Sequence, residues 1–175
     1  MRSFQKVTLA EKAGYGLGEL ANNAYLGVLS LFILYYYTDV FGINPAAAGL
    51  LLLLSRAFDA ITDPAMGIIA DRTSSRWGKY RPYLLWGAPP LALASVLVFL
   101  GPDLSDIGKL VFAYLTFGLF MLLFTAVSVS YSALMTVMSP TSQGRVEIAQ
   151  VRFMLGHIGT LLVGALAMPL VNQFG

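Results

Sequence analysis

Apolar residues fall in five long runs separated by short polar stretches, at about residues 14–37, 45–70, 83–100, 110–138 and 148–171. Runs of this length predict helices that cross a hydrocarbon core of about 30 Å. The second, PAAAGLLLLLSRAFDAITDPAMGIIA, runs from Pro45 to Ala70 and would extend roughly 39 Å at the helical rise. The first follows the basic stretch MRSFQKVTLAEK. It is too long for a signal-peptide core and no small-residue cleavage site follows cleanly, so it is expected to stay as a first span.

Two acids interrupt the second run. Asp59 and Asp63 are four residues apart, which puts both on one helix face, and Arg56 shares that stripe. A carboxylate in mid-span costs roughly 2.5 to 3.5 kcal/mol on insertion scales, and such groups normally face a bundle interior or a wet cavity. One reading is a cation or proton site; the other is an ion pair with Arg56 that only locks helix packing. Two acids against one base leave a surplus of negative charge, which a bound cation or proton would balance. A Na⁺ ion at Asp59 and Asp63 is the only metal that the sequence suggests.

Composition agrees about the solvent. Hydrophobic residues make up 57% of the 175 positions and charged residues 11%, with a mean hydropathy of +0.72, against roughly 25% charged residues in a soluble domain. An all-α transmembrane fold follows, with membrane lipid around it. A net charge of +2 is too small to imply nucleic acid. There is no cysteine, hence no thiolate or disulfide chemistry, and the single histidine, His157, has no metal-ligand neighbours in sequence. Of the eleven basic residues, Arg2, Lys6, Lys12, Arg72, Arg76, Lys79, Arg81 and Arg145 fall on one side of the predicted spans. Lys109 falls alone on the other, and Arg56 and Arg152 lie within spans. The positive-inside rule therefore places the N-terminus in the cytoplasm. Five spans would leave Gly175 outside, an odd count for a symmetric transporter, so further helices are expected beyond it.

The polar stretch after the second span reads Gly67-Ile68-Ile69-Ala70-Asp71-Arg72, then Thr73 to Pro82 with Arg76-Trp77-Gly78-Lys79-Tyr80-Arg81-Pro82. Gly67 would allow close helix approach, Asp71 and Arg72 would pair at the membrane surface, and Pro82 would open the next helix. The stretch is either a solvated basic loop that fixes topology or a cytoplasmic gate built from Gly67, Asp71, Arg72, Arg76, Gly78, Lys79 and Arg81.

The pattern at Gly67, Asp71 and Arg72 resembles the cytoplasmic motif of the major facilitator superfamily. Three segments in register are more specific: Tyr35-Tyr36-Tyr37-Thr38-Asp39-Val40-Phe41-Gly42, Arg56-Ala57-Phe58-Asp59-Ala60-Ile61-Thr62-Asp63-Pro64, and the Arg76 to Pro82 run. Together they are similar to the glycoside, pentoside and hexuronide:cation symporter family, the melibiose permease group, and the likeness extends from Gly14 to Gly175. Gly18-Glu19-Leu20-Ala21-Asn22-Asn23 and Ala46 to Ala48 resemble its glucuronide and xyloside carriers.

The resemblance implies a fold of two six-helix halves with sugar bound near mid-membrane between them. Residues 1–175 would supply the first five helices of the N-terminal half, leaving the C-terminal half as the missing partner. Asp59 and Asp63 match the family's coupling-cation carboxylates. Ser128, matched to the substrate-binding residues, falls where the melibiose permease group has a third acid, a departure that weakens the case for Na⁺ and favours H⁺, since fewer hard oxygen ligands remain beside hydroxyls such as Thr125. Asn22 and Asn23 match two charged sugar contacts and would offer uncharged donors and acceptors instead. Arg152 matches a sugar-binding arginine whose planar fork can hold hydroxyls or a carboxylate; its other readings are pairing with Glu147 or snorkelling. Tyr131 would offer a stacking face, and Glu19 is read as a structural residue reaching water near the cytoplasmic end. With those acids replaced, Arg152 is the least opposed charge on the sugar side, which predicts tolerance of a uronate.

These implications describe a cation- or proton-coupled symporter of a sugar or glycoside (pentoside, glycoside or hexuronide) in the cytoplasmic (inner) membrane, with no cofactor. The alternatives are a membrane sensor that binds sugar without moving it and a lysolipid carrier of the same superfamily. No nucleophile, metal triad or acid–base pair beyond the aspartates suggests an enzyme.

Overall fold

The hydrophobic runs fold as five helices in a computed structural model that describes residues 7–174: α1 (Leu9–Tyr35), α2 (Pro45–Arg72), α3 (Arg81–Val98), α4 (Asp106–Met138) and α5 (Ser142–Phe174). Arg2 and Lys6, counted above for topology, and the terminal Gly175 lie outside the described residues.

Local chemistry sets the helix ends. At the start of α1, Thr8 Oγ1 accepts the Glu11 N–H at 3.3 Å while the Glu11 carboxylate accepts the Thr8 N–H at 2.8 Å, a reciprocal cap that satisfies two donors. Its far end widens into a π-helical turn over Tyr36–Val40, closed by the Phe41 N–H to the Tyr36 carbonyl at 2.7 Å. Gly42, at φ +77°, takes the left-handed conformation that a side chain resists. Asn44 then caps α2 by accepting the Ala46 N–H at 2.9 Å, with Pro45 in the first turn. Pro64 lies inside α2, where it removes the N–H that would bond to the Ala60 carbonyl. Arg81 and Pro82 open α3.

Four of the helical stretches, Leu9–Val40, Pro45–Arg72, Asp106–Met138 and Ser142–Leu166, are long and apolar enough to cross a membrane among the described residues. The 18-residue α3 is outside that set. It extends only roughly 27 Å, and Arg81 with Pro82, Pro89 and Pro90 lowers its hydropathy.

The chain divides into two packing units, one holding α1 as far as Phe32 with the residues from Met135 onward, the other Ile33–Leu134. In the first, α1 and α5 run parallel, since their contacts climb together from Lys12–Glu147 to Gly27–Val163. Glycines bring them close: a Cβ added at Gly159 would stand 2.6 Å from the Leu20 carbonyl oxygen, and one at Gly16 would stand 2.6 Å from Leu155 Cδ1. Small residues at such an interface let backbones approach and supply the dispersion contacts that hold helices together in lipid. In the second unit the core is aromatic instead. Tyr37, Phe41, Phe117 and Phe120 are buried; Tyr36 stacks on Phe41 at 6.1 Å and meets Phe99 edge-on at 5.2 Å, and Tyr37 meets Phe117 at 6.3 Å. The Tyr114 hydroxyl donates to the Ala47 carbonyl at 3.0 Å, tying α4 to the start of α2.

The glycine contacts define a test. Gly159→Ala should lower stability by about 1–3 kcal/mol, because the new methyl meets backbone that has no rotamer to yield. Gly118→Ala, where nothing described lies within 4 Å, should be neutral or stabilise by up to about 1 kcal/mol. Thermal unfolding of the purified protein in detergent distinguishes them, and equal melting temperatures would contradict the packing described.

Candidate functional site

The acids of α2 meet α4 in a cavity of about 500 Å³ whose walls include Arg56, Asp59, Asp63, Phe124, Thr125, Ser128 and Ser132. The four-residue spacing points both carboxylates the same way, as the sequence predicts. Thr125 is buried and its hydroxyl donates to Asp63 Oδ1 at 3.1 Å. Asp59 Oδ1 is buried with no hydrogen-bond partner among the described residues. Arg56 Nη1 stands 4.0 Å from Asp59 Oδ2, and its side chain is 79% exposed against 19% for Asp59. At that distance and exposure the pair contributes little. Carboxylate and hydroxyl oxygens therefore converge with net negative charge, a donor set that suits a hard monovalent cation or a shared proton. Ser128, matched above to substrate binding, shares the aspartates' cavity; Tyr131 is half-buried on α4 and is not among the lining residues.

A second polar cluster sits in the other unit. Glu19 is buried at 8% exposure, and its Oε2 accepts from Arg152 Nε at 2.7 Å. The Asn23 amide donates to the Glu19 carbonyl at 3.0 Å and to Oε1 at 3.2 Å. Arg152 and Asn23, two predicted sugar contacts, are thus joined through one carboxylate. Asn22 is half-buried beside them in sequence, turned about 100° around the helix from Asn23.

Three expectations change here. Glu19 does not reach water, because α5 brings a guanidinium onto it. The ion pair of Arg152 is with Glu19, and the Glu147 carboxylate takes Lys12 Nζ at 2.5 Å. Arg152 is also not the least opposed charge, since Glu19 opposes it directly, and the charge argument for a uronate loses its basis. The signal for the Glu19–Asn23 contact was present as a four-residue spacing. That for Glu19–Arg152 was not, because the partners are 133 positions apart and only the pairing of α1 with α5 brings them together.

The stretch between α2 and α3 is held by hydrogen bonds rather than left as loose coil. The Tyr80 hydroxyl donates to Asp71 Oδ1 at 2.5 Å, the Thr73 and Tyr83 hydroxyls bond at 2.6 Å, and Ser75 Oγ donates to the Gly78 carbonyl at 2.6 Å. Gly78 is at φ +95°, and the Arg76 guanidinium lies 4.4 Å from the Trp77 ring centre. Asp71 pairs with Tyr80 and not with Arg72, its helix neighbour, because successive side chains point about 100° apart. Gly67 makes no close approach among the described residues, a Cβ there meeting nothing within 4 Å. Arg72, Arg76, Lys79 and Arg81 are exposed.

Comparison with known proteins agrees with this architecture. The MFS/sugar transport protein family matches residues 14–175. Inner membrane symporter YicJ of Escherichia coli (strain K12) is 43% identical over 169 residues, 97% of this chain and 37% of that protein. Putative glycoside/cation symporter YagG of the same strain is 41% identical over 170 residues, again 97% and 37%. The isoprimeverose transporter of Lactiplantibacillus pentosus is 38% identical over 169 residues, 97% of this chain and 35% of that one. The chain thus spans little more than a third of the length of these relatives. The family resemblance carried by the motifs is borne out, and with its four long apolar stretches this is an integral, multi-pass membrane protein. The chain belongs to the MFS/sugar transport protein family, whose members are transporters and not enzymes.

Proposed function

We propose that the protein carrying this chain is a symporter that couples a cation or proton to uptake of a glycoside, a pentoside included, across the cytoplasmic membrane, with its N-terminus in the cytoplasm. The observation that supports it most is the buried, unpartnered Asp59 oxygen beside a Thr125-bonded Asp63. A carboxylate oxygen out of water costs free energy unless something neutralises it, and a cation or proton arriving there does so. Coupling then needs only that the loaded acids favour the conformation that binds sugar. Asn22, Asn23, Tyr131 and Arg152 are the proposed sugar-facing groups, and Ser128 is shared between sugar and cation.

The parallel course of α1 and α5 supports a five-span path. If every helix crosses once, α1 and α5 point the same way; if α3 stayed on one side, they would oppose each other. The missing C-terminal half would face the exposed basic residues after α2. Asp71, Arg72, Arg76, Lys79 and Arg81, with Gly67 and Gly78, would then act as a gate latch.

Two experiments test the reading. Asp59→Asn in the full-length protein should abolish accumulation of a glycoside against its gradient while leaving exchange down the gradient measurable. Uphill uptake at the unmutated rate, under either a Na⁺ or a proton gradient, would exclude the coupling role. For the latch, Asp71→Ala and Tyr80→Phe should slow turnover alike and leave glycoside affinity within about twofold, because each removes one partner of the same hydrogen bond, far from the sugar groups in sequence. Loss of affinity at normal turnover would contradict it.

A further inference from the structure

Arg152 presents more than a charge: its orientation is set by Glu19, and that carboxylate is itself seated on a glycine. A Cβ added at Gly156 would stand 2.9 Å from both Glu19 Cγ and Asn23 Nδ2, so the absence of a side chain at 156 leaves the space in which the two groups lie flush against α5. Glu19 spends Oε2 on Arg152 Nε and Oε1 on the Asn23 amide, and the Asn23 amide is held a second time by the Glu19 carbonyl. One carboxylate therefore fixes a guanidinium on α5 and a carboxamide on α1, two long or rotatable side chains that would otherwise lose rotamer freedom on each binding event. Charge-assisted bonds of this length are among the strongest available to a buried pair. In a hydrocarbon-flanked unit the partners have no water to turn to instead.

We propose that Glu19, seated on Gly156, is a positioning residue that presents Arg152 and Asn23 to the glycoside as one preorganised hydrogen-bonding unit. This rests on the glycoside reading above and deepens it, since neither Glu19 nor Gly156 need touch the sugar. Neighbouring sugar hydroxyls call for a donor and an acceptor held in fixed register; with the Asn23 amide hydrogens donated to Glu19, the guanidinium supplies the donor and Asn23 Oδ1 the acceptor.

The test uses the full-length protein in detergent, with 4-nitrophenyl β-xyloside, β-glucoside and β-glucuronide as probes of binding and with melting temperature measured in parallel. Glu19→Gln keeps the shape and one acceptor but removes the charge, and should weaken binding of the preferred probe by about tenfold or more. Gly156→Ala leaves Glu19 intact and displaces it together with Asn23, so it should weaken binding as well. The exchanged pair Glu19→Arg with Arg152→Glu separates positioning from mere helix bracing: it should recover melting temperature but not glycoside affinity, because the guanidinium no longer sits on α5. Unchanged affinity in either folded single variant, or affinity restored in the exchanged pair, would overturn the proposal. Should Glu19→Gln not fold, Gly156→Ala carries the same expectation. An unmutated protein that binds none of the probes would instead refute the glycoside reading, and so the two failures are told apart.

Discussion

Hydrocarbon solvates neither charge nor backbone, and the polar contacts within the helices of this chain follow from that. Hydroxyls on the spans turn inward to their own helix: Thr62 donates to the Phe58 carbonyl, Ser95 to Leu91, Thr116 to Phe112 and Thr38 to Leu34. Acids on the spans take partners as well, the buried Glu19 from Arg152 and Asn23, and Asp63 from Thr125. Against this background Asp59 Oδ1 stands out, along with the Tyr37 and Ser130 hydroxyls. Among the described residues, only Asp59 combines an unpartnered atom with a formal charge and a neighbouring acid. Its carboxylate is left for something else to satisfy.

The two packing units meet the same constraint with different materials. In the one built on α1 and α5, glycine removes side chains so that backbones touch. In the other, rings from the π-helical turn, α3 and α4 fill the space between elements. The difference suits what each holds. A polar cluster such as Glu19, Asn23 and Arg152 needs helices close enough for short hydrogen bonds to cross between them, whereas the acid-lined cavity of α2 and α4 needs a firm wall beside an open volume.

How much of this could be read from sequence depends on how far apart the cooperating residues lie. Helices were legible because apolar runs of membrane length have few other interpretations, and the Asp59–Asp63 pair was legible because helical geometry alone puts positions four apart on one face. Pro82 and Pro45 announced helix starts for equally local reasons. The Glu19–Arg152 bond was hidden, since no rule of spacing joins residues 133 positions apart, and the partner guessed for Arg152, Glu147, was the one nearest in sequence. The π turn was hidden for another reason: Tyr36–Val40 contains nothing that separates a widened turn from an ordinary one, and its geometry follows from rings packing around it. Asp71 was assigned to its neighbour Arg72 on proximity, where the direction of successive side chains should have ruled that out.

The contact of Gly159 with Leu20 also bears on how such a chain can change over time. Where two side chains touch, enlarging one can be answered by shrinking the other, and the pair drifts together through a lineage. At Gly159 the opposing surface is the carbonyl oxygen and Cα of Leu20, atoms common to every amino acid. No substitution at position 20 can make room for a larger residue at 159. The glycine is therefore constrained without a correlated partner, and methods that infer proximity from paired substitutions would be blind to the closest approach between these two helices.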